Sequence, residues 1–205
     1  MKATHSEIQH VCIYAEAHLV SNFLKLLESG FKVKIKTGLS IRELLCGHLG
    51  ISEDYFDNRI QTIFLDGMPV DNVDAAWVEN NSRLALSAAM PGLVGATFRK
   101  GGRYASLRGT ISYSKAKNSP VSGEGKITLK LFNMVARELG PVFLRQGVII
   151  DGSTFHNFVS DTLGELKAAC YSIHLNDTKI SFSRLKEVKW ADREVLLQVI
   201  PEKPN

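Results

Sequence analysis

The sequence predicts an α+β fold in which one small sheet-and-helix unit occurs twice. The first observation is the alternation of apolar and basic residues at positions 31–36 (FKVKIK), which is typical of a strand with one buried face. The second is the helix start that follows, where Ser40 stands three residues before Glu43, as in a capping box. The third is the return of this passage about 114 positions later, at residues 147–159. A chain of 205 residues is also long enough for two domains of about 100 residues each.

The elements of one such unit follow one another over residues 1–90. A loop or short helix is predicted at residues 18–28, and the capped helix runs from about Ile41 to His48 and ends near Gly50, because glycine commonly terminates helices. Asp66-Gly67 is a strong hairpin signal. The predicted strands are residues 11–14, 31–36, 60–65, a short strand at 68–70, and 84–86. One helix across a mixed sheet in this order is the β-grasp arrangement, so we predict a first β-grasp domain over residues 1–90.

Residues 126–205 can be placed on the same order, which predicts a second β-grasp-like domain. A helical or loop segment is predicted at residues 134–140, Ser153 is the predicted N-cap of a helix that ends near Ala169, and Asn176-Asp177 is the predicted turn. The predicted strands are residues 126–132, 147–151, 171–175, 178–182 and 194–200. Because the two copies share few identical residues, the alternative is a single α+β domain added to the first.

Several segments match a known family. They are VCIYA at 11–15, VKIKTGLSIRELL at 33–45, IFLDGMPVDN at 63–72 and LALSAAMPG at 84–92. They resemble the MoaD/ThiS sulfur-carrier family of ubiquitin-like β-grasp proteins, and KITLKLFNMVARELG at 126–140 is similar to that family's opening segment. The resemblance covers residues 10–102, and residues 126–200 only weakly. It implies two ubiquitin-like β-grasp domains in tandem, and it indicates a fold rather than an activity.

The resemblance also points to Gly101 and Gly102 as a candidate carrier tail. In sulfur carriers the last strand leads into a flexible Gly-Gly tail, whose terminal carboxylate is adenylated and converted to a thiocarboxylate. In this chain 103 residues follow Gly102. An internal peptide carbonyl cannot be adenylated, so sulfur transfer would require cleavage after Gly102. The alternative is that the two glycines form a turn or linker.

Residues 91–125 form a Gly-rich basic connector between the two predicted domains. Residues 97–126 carry seven Lys or Arg and one acidic residue, a net charge of +6, whereas the whole chain has a net charge of +4. The connector could bind single-stranded nucleic acid, since basic side chains contact phosphates and aromatic rings stack on bases. An acidic protein or an anionic membrane surface would use the same charges, and a solvated linker is the alternative. The candidate residues are Arg99, Lys100, Arg103, Tyr104, Arg108, Lys115 and Lys117.

The sequence predicts neither a catalytic centre nor a metal or cofactor site. Cys12, Cys46 and Cys170 form no CxxC pair, and Cys46-Gly47-His48 would supply at most half of a zinc site. Residues 92–102 lack the spacing of a phosphate-binding loop. No apolar run approaches the roughly 18 residues that span a bilayer. With no apolar signal region in the first ten residues and unpaired cysteines, we expect a cytoplasmic location.

The sequence therefore predicts a non-catalytic β-grasp adaptor that binds a macromolecular partner, which we expect to be a protein. Two copies in one chain would allow bivalent binding. Two alternatives stay open: a sulfur carrier that is processed after Gly102, and a nucleic-acid-binding protein that uses the basic connector. The sequence does not indicate an oligomeric state.

Overall fold

The computed structural model describes residues 8–109, 111–114 and 122–202. The chain divides into two compact units. Unit 1 combines Met1–Phe31 with Arg137–Asn205, and unit 2 is Lys32–Ala136. Both units contain helices and a mixed sheet, so the predicted α+β class is confirmed.

Most elements lie where the sequence predicts them. Short 3-10 helices occupy Ala17–Phe23 and Ala105–Arg108, and a π-helix occupies Glu43–His48. The α-helices are α1 (Leu24–Ser29), α2 (Glu53–Asn58), α3 (Gly92–Phe98), α4 (Asn133–Gln146), α5 (Gly152–Ala169) and α6 (Phe182–Glu187). The strands are β1 (Gln9–Ala15), β2 (Phe31–Thr37), β3 (Leu39–Ser40), β4 (Thr62–Leu65), β5 (Met68–Pro69), β6 (Trp77–Val78), β7 (Arg83–Ser87), β8 (Gly123–Phe132), β9 (Val148–Asp151), β10 (Cys170–Leu175), β11 (Thr178–Ile180) and β12 (Glu194–Ile200).

The sheet of unit 1 has the strand order β11-β10-β1-β12-β9. Its centre is the parallel pair β1 and β12, and β10 and β9 lie antiparallel on either side of that pair. Helix α5 contributes aromatic side chains to the core: Phe155 meets Trp190 edge to face at 4.8 Å between ring centroids, and Phe158 lies 4.8 Å from Phe23. Trp190 is buried and donates its Nε1–H to the carbonyl of Leu185 at 3.0 Å, as a core tryptophan requires.

The sheet of unit 2 has the order β2-β8-β7-β4-β5. Here β7 and β8 form the parallel pair, β4 lies antiparallel to β7, and β5 lies antiparallel to β4. The predicted hairpin turn is confirmed, since Asp66 and Gly67, between β4 and β5, both have positive φ angles of 51° and 86°. Strands β3 and β6 form a separate two-stranded sheet.

The two units differ from the predicted boundaries of 1–90, 91–125 and 126–205. Strand β1 was expected in the first domain, but it pairs with β10 and β12. Strand β8 was expected to open the second domain, but it lies between β2 and β7. A short apolar strand is stabilised by the strands that complete its hydrogen bonds and by the side chains that cover its buried face. These strands need not be its neighbours in the sequence. Unit 1 is therefore built from two separate stretches of the chain.

The predicted capping box after β2 is confirmed. The backbone N–H of Ser40 donates to Oε2 of Glu43 at 2.8 Å, and the N–H of Glu43 donates to Oγ of Ser40 at 3.3 Å. The helix that follows buries Leu44 and Leu45 completely. The corresponding prediction for α5 is wrong, because its N-cap is Asp151 rather than Ser153 and makes no side-chain capping bond.

Two glycines on α5, Gly152 and Gly164, allow the effect of close packing on stability to be distinguished from that of helix propensity. A Cβ at Gly152 would lie 2.0 Å from the carbonyl oxygen of Trp190, whereas a Cβ at Gly164 would meet nothing within 4 Å. We expect Gly152→Ala to destabilise the protein by about 2 kcal/mol or more, because the start of α5 must move away from Trp190. Gly164→Ala should instead stabilise it by about 0.5–1 kcal/mol. Urea denaturation followed by circular dichroism measures both changes, and equal effects would contradict the packing argument.

The capping box should also contribute to the acid stability of unit 2. Hydrogen bonds from Ser40 lower the pKa of Glu43, so the carboxylate stabilises the fold at higher pH and this contribution is lost as the pH falls below about 4.5. Glu43→Gln keeps an acceptor for Ser40 but removes the titration. We expect similar stability at neutral pH and a shallower loss in acid for the variant, measured by urea denaturation at several pH values. Parallel curves down to about pH 3 would show that Glu43 does not contribute.

Candidate functional site

The part of the predicted connector that the structure describes is folded onto unit 2. We call residues 92–114 the anchored segment; residue 110 lies outside the described part. The segment contains α3 and the 3-10 helix Ala105–Arg108. Its backbone is bound at two separate points: the N–H of Lys100 donates to the carbonyl of Gln61 at 2.7 Å, and the N–H of Tyr113 donates to that of Pro69 at 2.9 Å. These contacts make it part of unit 2.

Arg108 is the main anchor of this segment and is not a surface residue. Its side chain is 1% exposed, and its guanidinium forms an ion pair with Oδ1 of Asp71 at 2.7 Å. The same guanidinium donates to the carbonyls of Thr97 (2.6 Å) and Arg99 (3.2 Å) and to Oγ of Ser112 (2.9 Å). Arg108 was predicted to contact a polyanion, but its donors are directed into the protein, where they connect α3, the 3-10 helix and the loop after β5.

Lys100 and Arg99 are also engaged by unit 2. The ammonium of Lys100 donates to the carbonyl of Phe56 at 3.2 Å and lies 4.3 Å from the centroid of the Phe56 ring. Burial of this half-buried ammonium lowers the pKa of Lys100. Arg99 is exposed, and its Nε donates to Oε1 of Gln61 at 2.8 Å. Both cations therefore have contacts within the fold.

The two glycines of the candidate carrier tail form a bound turn. Gly101 has a φ of 60°, and its N–H donates to Oδ1 of Asp71 at 3.1 Å. The N–H of Gly102 donates to the carbonyl of Arg99 at 3.0 Å, and its own carbonyl accepts from Ala105 at 2.9 Å. The carbonyl that carrier chemistry would use is thus hydrogen-bonded inside a continuous chain.

The remaining predicted site residues are divided between the surface and the undescribed part of the chain. Arg103 and Tyr104 are exposed, Tyr104 by 39% of its surface. Lys115 and Lys117 lie outside the described residues. The structure therefore brings together Arg99, Lys100, Gly101 and Arg108 around the loops of unit 2, but most of these side chains are used to hold the segment in place.

Sequence reasoning missed an apolar surface on the anchored segment. Leu93, Val94, Leu107 and Ile111 are exposed by 70%, 67%, 73% and 50%. The first two open α3, and the other two lie in and after the 3-10 helix that Arg108 connects to α3. We call these four residues the apolar surface, and they are candidates for an interaction site because exposed large apolar side chains mark such sites where they form a patch. The signal was present in the sequence as Leu93-Val94 after Pro91-Gly92, in a stretch interpreted from its glycines and basic residues rather than its apolar ones.

Sequence reasoning also missed a basic cleft in unit 2, which we call the lysine cleft. It has a volume of about 540 Å³ and is lined by Lys34, Lys36, Lys126, His48 and Glu124, together with Ile35 and Gly125. The alternation in β2 explains two of these residues, because burial of Val33 and Ile35 directs Lys34 and Lys36 to the opposite face. The other lining side chains come from β8 and the π-helix, which the sequence did not place beside β2.

The acidic residues around α2 are largely engaged by one arginine. Arg42 contacts Glu53 at 2.5 Å, Asp57 at 3.0 Å and Asp74 at 3.0 Å, and its guanidinium lies 4.8 Å from the Phe56 centroid. The hydrogen bond from Arg42 lowers the pKa of Asp57. The three carboxylates are exposed to solvent, so we assign the network to support of the local fold.

The cysteines are poor candidates for nucleophiles or metal ligands. Burial raises the pKa of Cys46 to about 11 and that of Cys170 to about 11, and it also raises the pKa of Cys12. A thiol must lose its proton to attack or to bind a metal, so all three are protonated at neutral pH. In the described residues no group of three or more His, Cys, Asp or Glu is arranged to hold a metal ion.

Comparisons with known proteins do not assign the chain to a family. No family model matches it, and neither a curated protein nor a solved structure is significantly similar to it. The resemblance to sulfur carriers therefore stays a prediction. Within the part of the chain that the structure describes, every helix is too short or too polar to cross a membrane.

The anchoring role of Arg108 predicts that substitution of Arg108 costs much more stability than substitution of the nearby Arg103. Arg108→Met removes a buried cation and leaves the carbonyls of Thr97 and Arg99 without this donor, so we expect a loss of about 2–3 kcal/mol, moderated because Asp71 is partly exposed. Arg103→Met, at an exposed position, should change stability by less than about 0.5 kcal/mol. Urea denaturation measures both values. Similar losses for the two variants would show that Arg108 is not the anchor.

Proposed function

We propose that the protein is a non-catalytic adaptor that binds a protein partner through the apolar surface of the anchored segment. The observation that carries this proposal is the exposure of Leu93, Val94, Leu107 and Ile111, each by half of its surface or more. Keeping four large apolar side chains in water is unfavourable, and their burial against a partner would recover roughly 1.5–3 kcal/mol for each side chain that becomes fully buried. Arg103 and Tyr104 lie between them in the chain and belong to the residue types enriched at binding hot spots.

The anchoring of the segment supports binding rather than a linker role. A flexible linker would lose conformational entropy when it bound a partner, which weakens association. In this chain the Arg108–Asp71 ion pair and the backbone bonds of Lys100 and Tyr113 already hold the segment in one conformation. The apolar side chains are therefore presented by a preformed surface.

The proposal includes a fold assignment for both units. We infer that each is a β-grasp module and that the two modules have exchanged strands. In support, each sheet has a central parallel pair followed by two antiparallel neighbours: β12-β1-β10-β11 in unit 1 and β8-β7-β4-β5 in unit 2. In each unit a helix follows the outer strand beside that pair, the π-helix after β2 and α5 after β9. β-Grasp modules commonly act by binding other proteins, which agrees with an adaptor.

The two alternatives have less support. A sulfur carrier would need cleavage after Gly102 and also release of the turn that Asp71 and Arg99 hold. A nucleic-acid-binding connector would lack Arg108, which is buried, and would have to compete with Phe56 for Lys100.

The adaptor proposal can be tested by charging the apolar surface. We expect Leu93→Asp/Leu107→Asp to reduce capture of the partner at least about 30-fold, as loss of a hot spot worth about 2 kcal/mol would do. Val142→Asp on α4 is the matched control, because Val142 is also apolar and 50% exposed but lies in unit 1. The measurement is quantitative mass spectrometry of proteins that co-purify with the full-length chain from its native cells. Circular dichroism checks that all variants are folded.

The same experiment separates the alternatives. If both variants retain the same proteins as the unmodified chain, the apolar surface is not the binding site. Capture that disappears after nuclease treatment would favour the nucleic-acid alternative. A major product that ends at Gly102, with the mass of a thiocarboxylate, would favour the sulfur carrier and contradict the non-catalytic proposal.

A further inference from the structure

We propose that the lysine cleft of unit 2 binds the phosphate group of a small phosphorylated molecule. The cleft is separate from the residues that carry the adaptor proposal, since no residue of the anchored segment lines it. It combines a concave volume with lysines from β2 and β8 and an imidazole from the π-helix. A concave surface lined by more basic than acidic side chains favours the binding of an anion.

The charges of the cleft match those of a phosphate monoester. Its lysines, Lys34, Lys36 and Lys126, outnumber its one carboxylate, Glu124, which gives a net charge of +2. A phosphate monoester carries about −1.5 to −2 charges at neutral pH, so binding would leave little uncompensated charge. Ammonium groups bind phosphate as point charges with three donors each, and His48 adds a ring nitrogen that can donate to a phosphate oxygen.

The backbone beneath these side chains is held firmly. Thr37 donates its hydroxyl to the carbonyl of Gly123 at 3.2 Å, and Asn80 accepts the N–H of Lys126 at 2.9 Å. Gly125 lies very close to Thr37 and Asn80. A Cβ at this position would be 2.7 Å from Cγ2 of Thr37 and 2.8 Å from Oδ1 of Asn80. The start of β8 is thus locked against the end of β2, which fixes the origin of the Lys126 side chain relative to β2.

The spacing of the lysines suits one phosphate group. Lys34 and Lys36 leave the same face of β2 two positions apart, about 7 Å along the strand. Flexible four-carbon stems allow both ammonium groups to reach a single anion from this distance. Lys126 lines the cleft from the adjacent strand β8, so the phosphate would be contacted by lysines of two strands.

The size of the cleft indicates an organic phosphate rather than the bare ion. A volume of about 540 Å³ falls in the range of small-molecule sites, about 300–1,000 Å³, and exceeds what inorganic phosphate would fill. The alkyl stems of the lysines supply apolar surface for the rest of the molecule. A ligand of mononucleotide size fits both the charge and the volume.

The test is a titration of the ¹⁵N-labelled full-length chain with adenosine monophosphate, followed by NMR amide shifts. Adenosine and inorganic phosphate serve as the two halves of the probe. We expect saturable shifts at residues 34–36, His48 and residues 124–126 with adenosine monophosphate, weaker binding of phosphate to the same residues, and no binding of adenosine. Lys36→Glu should weaken binding at least about tenfold, and Glu124→Gln should strengthen it, because the one opposing charge is removed.

Lys130→Glu is the matched control, because it makes the same charge change on β8 outside the cleft and should leave the affinity within about twofold of the original. The strengthening expected for Glu124→Gln cannot result from misfolding. The proposal is overturned if adenosine binds as well as its monophosphate, if Lys130→Glu weakens binding as much as Lys36→Glu, or if no saturable shift appears up to about 10 mM probe. None of these results depends on the apolar surface, so this proposal and the adaptor proposal can fail separately.

Discussion

The ion pair between the buried guanidinium of Arg108 and the partly exposed Asp71 is the interaction on which the proposed binding surface of unit 2 depends. It joins three parts of the fold, because Arg108 also donates to carbonyls at Thr97 and Arg99 while Asp71 accepts the N–H of Gly101. A buried guanidinium must satisfy its donors, and here they hold Thr97, Arg99 and Ser112 close to Asp71. Together with the backbone bonds of Lys100 and Tyr113, this pair holds the segment in position.

Signals that involve only neighbouring residues predicted local structure well. The capping box of Ser40 and Glu43 and the turn at Asn176-Asp177, which both have positive φ angles, depend on chemistry within a few residues. The period-two pattern of β2 likewise predicts which side chains are buried. None of these patterns indicates which strands pair with each other in a sheet. The partners of β1 and β8 could therefore not be predicted. The repeat predicted that similar elements recur along the chain. It did not predict that unit 1 would be built from strands of two separate stretches of sequence.

The candidate sites show the same limit. The charge of Arg108 is visible in the sequence, but its burial depends on Asp71, which lies 37 positions away. Density of basic residues therefore overestimated the surface available to a polyanion. In β2 the sequence underestimated a basic surface. Alternation predicted that Lys34 and Lys36 are exposed, but the cleft also requires Lys126 from β8 and His48 from the π-helix. A binding site made from separate elements requires the fold before it can be recognised.

The discontinuous composition of unit 1 determines the order in which the chain can fold during synthesis. Strand β1 is complete once Ala15 has been made, but β10 and β12, which lie on its two sides, are not complete until Leu175 and Ile200. Unit 2 has all of its strands once Phe132 has been made. A nascent chain therefore carries an apolar strand with both hydrogen-bonding edges open while more than 150 residues are added. Unit 2 can therefore reach its native state first, and β1 needs protection from aggregation until β10 and β12 have been made.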